Sequence, residues 1–443
     1  MILNKFRKFK LNSFSSSIKF KYNGIDNFLI YLCAILALQI PIVLVFGPAI
    51  PDFCLSLSAL LFLIVVIRNR LYSYINNSFF KILILLNIYF IISSIGSDNY
   101  LFSFQSSLFY FRFTIFSLTI YFLILNFKNF TKILFYILIL FFILLFFDSL
   151  FQYFYGYNIF GYQYDGKRLS SFFNDEKILG SYIVRITPII ISLLFIVIKK
   201  KNLINIIFLF LLIFSDIVVI LSAERTAIFL KVISNTLFII LLRDILKVKF
   251  FYILIMLVIS ASILYFDKNI YERTLKNTFE NLYDKKVENK ILLFSLQHEL
   301  HYESAFKMFK DNPIIGIGPK MFRIKCSDKK YYTKERINNE NFKYLEGCST
   351  HPHNNYIQLL SETGLIGFIF VVFILFLLIR SFKKNISFKI SKSIKDHNIT
   401  VCLLISVIIT IWPFVQTGNF FNNWLNVIYY YPIGLIIYYN KLI

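Results

Sequence analysis

One stretch of this 443-residue chain concentrates side chains that could move protons: residues 350–367, with the sequence THPHNNYIQLLSETGLIG. It contains two of the five histidines, His351 and His353, together with Asn354 and the carboxylate of Glu362. Histidine titrates near neutral pH, so His353 can serve as a general base without extreme tuning. The alternative is that His353 only packs or caps at the start of a helix. An apolar run follows without a break, which places this polar stretch at the end of a membrane helix.

The composition explains why a membrane helix is expected there. Hydrophobic residues make up 58% of the chain and aromatic residues 19%, whereas charged residues make up only 16%, below the ~25% of soluble domains. A spanning helix needs ~20 mostly apolar residues. The chain has about twelve such runs: 27–47, 53–67, 79–95, 108–126, 132–148, 179–198, 203–221, 226–242, 248–266, 363–380, 399–416 and 424–439. The sequence therefore predicts an all-α polytopic membrane protein with one large, partly helical extracytoplasmic loop.

The net charge of +23 would fit nucleic-acid binding, but the placement of the basic residues favours a membrane topology. Every second connection is basic, whereas those near Pro51, at 97–105 and at 417–423 contain no lysine or arginine. Because basic loops stay in the cytoplasm, we predict cytoplasmic termini and no nucleic-acid partner. The predicted divisions are a basic tail rather than a removed signal peptide at 1–26, nine membrane helices at 27–266, an external loop at 267–362 and three helices at 363–443.

Three arginines lie at or inside predicted membrane helices. Arg225 sits in a tight external connection, where its guanidinium is suited to the phosphate oxygens of a lipid-linked diphosphate. An ion pair with Glu224 is the alternative, although adjacent helical residues point about 100° apart. Arg112 and Arg185 lie within predicted spans, where a charge costs several kcal/mol unless it faces a polar cavity or a partner. We expect Arg185 to contact substrate; either arginine could instead pair with an acid such as Asp216.

The external loop contains two more histidines. An amphipathic helix is predicted at 291–310, with His298 and His301 three residues apart and therefore on one face. The segment QHELH resembles a zinc-protease helix, but that motif needs its histidines four residues apart. A site built from the four loop histidines is geometrically possible, yet no carboxylate or cysteine triad accompanies them. We therefore predict neither a metal nor another cofactor.

Beyond that helix, a tight glycine-containing turn at 314–319 leads to two cations, Lys320 and Arg323. Cys326 and Cys348 follow in the same loop. In an oxidising compartment these two cysteines could pair, and we predict that disulfide. A second external segment, 148–177, is rich in aromatic residues, which are usually membrane-interface anchors but also form sugar-stacking surfaces.

These segments together resemble the signature of the O-antigen ligase and polymerase superfamily. The central match is the run at 351–358 with Glu362, Gly364 and Gly367, located after a long external loop and before a span. Supporting matches occur in family order at 168–180, 224–227 and 312–318. The resemblance covers roughly residues 150–380 and includes the twelve spans expected of the family.

The resemblance implies a membrane glycosyltransferase that takes a glycan from undecaprenyl diphosphate at the periplasmic face of the bacterial inner membrane. The family's loop histidine corresponds to His353, and one of its outer-face arginines corresponds to Arg225. Its second arginine usually opens the loop helix, where this chain has His298. The second diphosphate contact could then come from one of four residues: His298, Arg323, Lys320 or Arg168.

We accordingly predict a metal-independent, inverting single displacement, in which a base takes the acceptor proton and cations stabilise the leaving group. The predicted catalytic residues are His353, Arg225 and His298. The predicted substrate contacts are Arg168, Arg185, His301, Lys320, Arg323, His351, Asn354 and Glu362.

We favour an O-antigen ligase that acts on lipid A-core or a similar saccharide acceptor, because the compact His-x-His-Asn turn lies late in the chain. A polymerase, which extends another lipid-linked repeat, or a protein O-oligosaccharyltransferase would share these motifs and differ in acceptor. A polysaccharide or lipid transporter would also have about twelve helices, but its polar residues would concentrate near the bilayer midplane and repeats would be common. The sequence has no evident repeat, and its polar segments lie at one face.

Overall fold

The computed structural model describes residues 22–284, 290–291, 295–336, 344–386 and 393–440. Most of the predicted tail therefore lies outside the described residues, as do Lys389 and Lys392 of the last basic connection. Ten α-helices lie between residues 24 and 266: α1 (Gly24–Val43), α2 (Ala49–Arg68), α3 (Ser78–Ile95), α4 (Tyr100–Leu108), α5 (Phe111–Asn126), α6 (Phe130–Tyr155), α7 (Leu179–Val197), α8 (Lys201–Leu221), α9 (Arg225–Leu241) and α10 (Leu246–Phe266).

The segment after α10, which the sequence predicts to be external and which we call the external loop, is only partly helical. Its elements are α11 (Lys268–Tyr271), a π-helical turn (Glu272–Lys276), α12 (Asn277–Leu282), β1 (Tyr283–Asp284), β2 (Lys290–Ile291), α13 (Leu296–Asp311), α14 (Phe322–Lys325), β3 (Lys334–Arg336) and β4 (Tyr344–Glu346). The strands form two antiparallel pairs, β1 with β2 and β3 with β4. The predicted amphipathic helix begins at Leu296 rather than at 291, and residues 292–294 lie outside the described part of the chain.

Three helices complete the chain: α15 (Asn355–Ile386), α16 (Ile394–Thr410) and α17 (Asn423–Asn440). Gly364 interrupts α15 with a positive φ of 63°, close to the predicted start of the tenth span. A Cβ on Gly364 would lie 2.3 Å from the carbonyl oxygen of Ile314. Glycine is therefore required here, because the external loop crosses the helix at backbone distance.

The described helices overlap all twelve predicted spans. Nine helical segments in this part of the chain are long and apolar enough to cross a membrane by length and composition. The protein is thus an all-α polytopic membrane protein, as predicted. Among the closest helix pairs are α1 with α2, α7 with α16 and α5 with α17.

The two ends of the helix bundle differ in chemistry. At one end the basic connections meet: the backbone of Arg243 pairs with the side chain of Asn398 (3.0 and 3.1 Å), and Lys395 donates to the carbonyl of Ile196 (3.0 Å). The turn that contains His353 lies at the other end, where α15 begins. This separation agrees with the alternation of basic and uncharged connections in the sequence.

The charges inside the bundle pair differently from the expectation. Arg112 pairs with Asp52, at 2.9 Å between its Nε and a carboxylate oxygen. Asp216 faces Lys231 across the interface of α8 and α9, with 3.7 Å between Nζ and Oδ1. The suggestion that Asp216 pairs with Arg112 or Arg185 is therefore wrong. Helix periodicity alone does not show which of several buried charges face one another.

The contact between α5 and α17 provides a stability test. A Cβ on Gly434 would lie 2.5 Å from the Cβ of Ile120 and 2.6 Å from the carbonyl oxygen of Ser117. Gly434→Ala should force the helices apart and cost about 1–3 kcal/mol, so the thermal unfolding midpoint of the purified protein should fall by several degrees. Gly24→Ala, where an added Cβ meets nothing within 4 Å, is the control. Equal midpoints for the two variants would contradict this packing.

Candidate functional site

The turn before α15 is fixed by Asn354. Its side-chain oxygen accepts hydrogen bonds from the backbone N–H groups of Tyr356 (3.0 Å) and Ile357 (3.2 Å), which caps the helix. Its amide nitrogen donates to the carbonyl of Pro413 (2.8 Å). Asn354 is also buried, so its contacts in this structure are with the protein and hold the turn in place.

His353 adopts a left-handed backbone conformation, with φ of 58°. Residues other than glycine rarely occupy this region, so the surroundings must stabilise it. The carbonyl of His353 accepts a hydrogen bond from the backbone N–H of Thr417 (2.8 Å), which ties the turn to the connection between α16 and α17. Within the described residues the imidazole itself makes no hydrogen bond, so both ring nitrogens are available to a substrate.

Four imidazole rings converge at this point. The ring centre of His353 lies 4.1 Å from that of His351 and 5.4 Å from those of both His298 and His301. We call these four residues the histidine cluster. Because His298 and His301 lie on one face of α13, as predicted, both rings reach His353. Among the described residues, no group of three or more His, Cys, Asp or Glu side chains has a metal-binding arrangement.

Hydrogen bonds orient the outer members of the histidine cluster. The Nδ1 of His298 lies 2.6 Å from the hydroxyl of Ser295, the residue that precedes α13. The Nε2 of His351 lies 3.2 Å from the carbonyl of Thr417, and its Nδ1 lies 2.9 Å from the hydroxyl of Thr350. Because these hydrogen bonds restrict rotation of the His298 and His351 rings, both rings stay next to His353.

Burial controls the protonation of the histidine cluster. It lowers the pKa of His298 and of His353 to about 4, and that of His351 to about 3, with repulsion from neighbouring imidazoles as a further cause. The pKa of His301 is also lowered, mainly by burial. The imidazoles are therefore neutral at pH 7, and each can accept a proton.

A buried carboxylate organises the cationic side of the site. Glu224 accepts hydrogen bonds from the backbone N–H (3.0 Å) and the hydroxyl (2.6 Å) of Ser181, at the start of α7. Its other oxygen lies 3.4 Å from a guanidinium nitrogen of Arg168. Glu224 thus pairs with Arg168 and leaves Arg225, its neighbour in sequence, without an ion pair among the described residues.

A third arginine, which the sequence motifs did not indicate, lies near Arg225 and Arg168. Arg273, in the π-helical turn, donates from its Nε to the carbonyl of Ala223 (3.1 Å). Its pKa is lowered by burial and then by the charges of Arg168 and Arg225, so the three guanidinium groups share one neighbourhood. We call Arg168, Arg225 and Arg273 the arginine cluster. The charge of Arg225 also helps to lower the pKa of His298, which places the arginine cluster beside the histidine cluster.

Arg185 lies deeper, on α7, and is only 5% exposed. It donates to the carbonyl of Ser181 (3.0 Å), but its Nε has no partner among the described residues. It lines a cavity of about 270 Å³ together with Gln416 and Thr417. Gln416 accepts from the hydroxyl of Thr226 (3.1 Å), next to Arg225. Arg185 is therefore close to the site but is not part of the arginine cluster.

Glu362 holds the loop that contains Lys320 and Arg323. Its fully buried carboxylate accepts hydrogen bonds from the backbone N–H groups of Lys320 (3.0 Å) and Phe322 (3.1 Å) and from the side chain of Gln358 (2.8 Å). These contacts are internal, and the substrate contact of Glu362 stays a prediction. Lys320 and Arg323 line a separate cavity, which no member of the histidine cluster and neither Arg168 nor Arg225 lines.

The structure joins Cys326 and Cys348 in a disulfide, the pairing predicted from the sequence. Cys326 follows α14 and is fully buried, and Cys348 precedes the turn that contains His353. The bridge therefore ties the loop held by Glu362 to the histidine cluster. Cys33, Cys54 and Cys402 are buried and free, as expected of small apolar residues in spans.

The fold and the site define a polytopic membrane protein that concentrates histidines and arginines at one end of its helix bundle. Residues 207–372 match the family model described as O-Antigen ligase. This segment, which covers less than half of the chain, contains Arg225, α13 and the turn at His353, and its match supports the resemblance to the O-antigen ligase and polymerase superfamily. No curated protein gives a significant match to the chain.

The disulfide supplies a prediction about the loop. Alkylation without reductant followed by mass spectrometry should find Cys326 and Cys348 linked in protein from intact cells, and two free thiols would contradict the pairing. The double variant Cys326→Ser/Cys348→Ser should lose about 3 kcal/mol of stability, the entropic contribution of a bridge that closes a loop of this length. The matched variant Cys54→Ser/Cys402→Ser, in the spans, should leave the linked peptide unchanged.

Proposed function

We propose that this protein transfers a glycan from a polyprenyl diphosphate to a hydroxyl group of a saccharide acceptor, at the external face of the membrane. The observation that carries the proposal is the position of His353: its neutral, unbonded imidazole lies within the histidine cluster, beside the arginine cluster. A base for the acceptor and cations for a departing diphosphate are the two requirements of this reaction.

In the proposed reaction, His353 takes the proton from the acceptor hydroxyl as its oxygen attacks the anomeric carbon. The bond between that carbon and the diphosphate oxygen breaks, and the diphosphate leaves with the electron pair. A single displacement of this kind inverts the anomeric configuration. No step requires a metal, because guanidinium groups can stabilise the charge of the leaving group.

The arginine cluster would bind the diphosphate. Arg225 is exposed and has no ion pair among the described residues, so it is free to bind phosphate oxygens in a fork. Arg273 reaches the same neighbourhood from the external loop and is a better candidate for the second contact than His298, which is neutral. Arg168 forms an ion pair with Glu224 through one guanidinium nitrogen, and it would add a third positive charge.

The acceptor distinguishes the proposed activities. We favour a ligase that uses lipid A-core or a similar saccharide, with undecaprenyl diphosphate as the carrier, in the bacterial inner membrane with the site on the periplasmic face. A polymerase or a protein O-oligosaccharyltransferase would use the same reacting groups. A transporter is disfavoured, because the described polar clusters lie at one end of the bundle rather than along a path through it.

His353→Ala should abolish glycan transfer while the protein stays folded in the membrane, because no other imidazole in the histidine cluster occupies its place. We expect a loss of at least about 100-fold in rate, the usual contribution of a positioned base. His397→Ala is the matched control, since His397 lies at the opposite end of the bundle, 3.0 Å from the carbonyl of Leu241. Transfer by His353→Ala at the His397→Ala rate would refute the role of His353.

The pH dependence follows from the lowered pKa values. Only neutral His353 accepts a proton, so the transfer rate should be level from pH 6 to 8 and fall as the pH drops toward about 4. Unfolding raises these pKa values to about 6.5, so stability should also decline between about pH 6.5 and 4. Initial rates and unfolding midpoints should therefore be measured on the same samples. A rate that halves near pH 7, or increases on acidification, would contradict this assignment.

A further inference from the structure

The cavity of about 270 Å³ beside Arg185 lies where α7 enters the helix bundle. Its walls come from the connection between α1 and α2, from the segment before α7 and the start of that helix, and from the connection between α16 and α17. Arg185 lies about 9 Å along α7 from its first residue, Leu179. The guanidinium is therefore inside the bundle, whereas much of the remaining wall belongs to connections between helices.

The guanidinium of Arg185 is buried without an ion pair in the part of the chain that the structure describes. Only 5% of the residue is exposed. Its Nη1 donates to the carbonyl of Ser181 (3.0 Å), whereas the buried Nε and the Nη2 have no hydrogen-bond partner among the described residues. Nε and Nη2 form the edge of a guanidinium that binds both oxygens of a carboxylate in a fork. This edge suits an anionic ligand in the adjoining cavity.

The acids near Arg185 do not neutralise it. Glu224 accepts hydrogen bonds from Ser181 through one oxygen and pairs with Arg168 (3.4 Å) through the other. Glu176 also lines the cavity, but it is exposed and forms no ion pair with a described residue. A cation buried in a membrane helix is costly unless a partner or a polar cavity compensates it. An anion bound in the cavity would supply the missing charge.

The wall of the cavity is hydrogen-bonded directly to the site. Gln416 and Thr417 both line the cavity. The side-chain oxygen of Gln416 accepts from the hydroxyl of Thr226 (3.1 Å), in the first turn of α9. The backbone N–H of Thr417 donates to the carbonyl of His353 (2.8 Å), and its own carbonyl lies 3.2 Å from the Nε2 of His351. The cavity thus adjoins residues that hold the turn at His353 and the start of α9.

This position fits the first sugar of the donor. In the proposed reaction that sugar is bonded to the diphosphate, and its anomeric carbon is attacked by the hydroxyl that His353 deprotonates. It must therefore lie beside both clusters, whereas the acceptor needs to reach only His353. The remaining lining suits a sugar: the amide nitrogens of Gln416 and Asn422 have no described hydrogen-bond partner, and Phe173 and Trp424 supply aromatic surface.

We propose that this cavity binds the first sugar of the transferred glycan, and that this sugar carries a carboxylate, as a uronic acid does. The Nε and Nη2 of Arg185 bind the carboxylate, and Gln416 and Asn422 donate to sugar hydroxyls. This inference rests on the proposed function and narrows it, because it makes the donor acidic and Arg185 the residue that selects it. A neutral first sugar would leave the buried guanidinium without a counter-ion.

Binding of two synthetic donors to the purified full-length protein tests the inference. Farnesyl diphosphate linked to galacturonate and farnesyl diphosphate linked to galactose differ only at C6, where the first has a carboxylate. The wild type should bind the galacturonate donor at least about tenfold more tightly, and Arg185→Gln should bind both about equally. Lys199→Gln removes an exposed charge just beyond the other end of α7 and should keep the wild-type preference.

Three results would overturn the proposal: equal affinities in the wild type, no binding of either donor, or a preference that survives Arg185→Gln. Farnesyl diphosphate without a sugar separates a carboxylate site from a diphosphate contact. Arg185→Gln should bind it as tightly as the wild type does, which also shows that the variant is folded. A tenfold weaker affinity would assign Arg185 to the diphosphate and overturn the proposal.

Transfer assays test the proposed function separately. If the wild type preferred the galacturonate donor in binding, but His353→Ala transferred the sugar as fast as the wild type, the proposed function would fail and the assignment of the cavity would stand. If transfer depended on His353 but the wild type bound the galactose donor equally well, the assignment of the cavity would fail and the proposed function would stand.

Discussion

The arrangement of the site depends on the buried carboxylate of Glu362. Three donors converge on it, and they come from the external loop and from α15 itself. Next to it, Gly364 breaks α15 so that the loop can cross at backbone distance, and backbone hydrogen bonds from Ile317 (3.0 Å) and Gly318 (2.9 Å) to this part of α15 fix the crossing. If the Glu362 carboxylate were removed, its buried donors would lose their acceptor, so the conformation of the whole loop should change. The disulfide and α13 connect this attachment point to the histidine cluster.

A second constraint is the cost of charge in the membrane, which explains why the chemistry lies at one end of the bundle. Some charges within the spans are paired, as Arg112 is with Asp52 and Lys231 with Asp216, whereas Arg185 donates to the carbonyl of Ser181. Unpaired cations of the site occur where α9 begins and in the external loop. Between them the histidine cluster is buried enough to stay neutral at pH 7, so a base lies next to positive charge without being protonated. In the proposed reaction, this combination lets the leaving group and the proton acceptor share one site.

The sequence was sufficient for the membrane fold, because long apolar runs and alternating basic connections directly reflect the energetics of insertion. It also indicated the cysteine pair, which the structure joins, and its short motifs select His353 and Arg225, whose roles stay predictions. It did not reveal Arg273, which lies in a generally charged segment and reaches the site only through a π-helical turn. It did not reveal the three donors around Glu362, because a carboxylate near histidines has the same appearance in sequence whether it faces a cavity or backbone and side-chain donors. Only the packed structure shows which buried charges pair over long sequence distances, as Asp216 does with Lys231.

We propose that the protein consumes a lipid-linked glycan at the histidine cluster. The most direct measurement is the amount of glycan attached to polyprenyl diphosphate in a strain that lacks the protein, compared with the same strain carrying the wild-type gene or the His353→Ala variant. We expect carrier-linked glycan to accumulate in the deletion strain and with His353→Ala, and to return to the normal level with the wild-type gene. An unchanged pool of carrier-linked glycan in the deletion strain would contradict it.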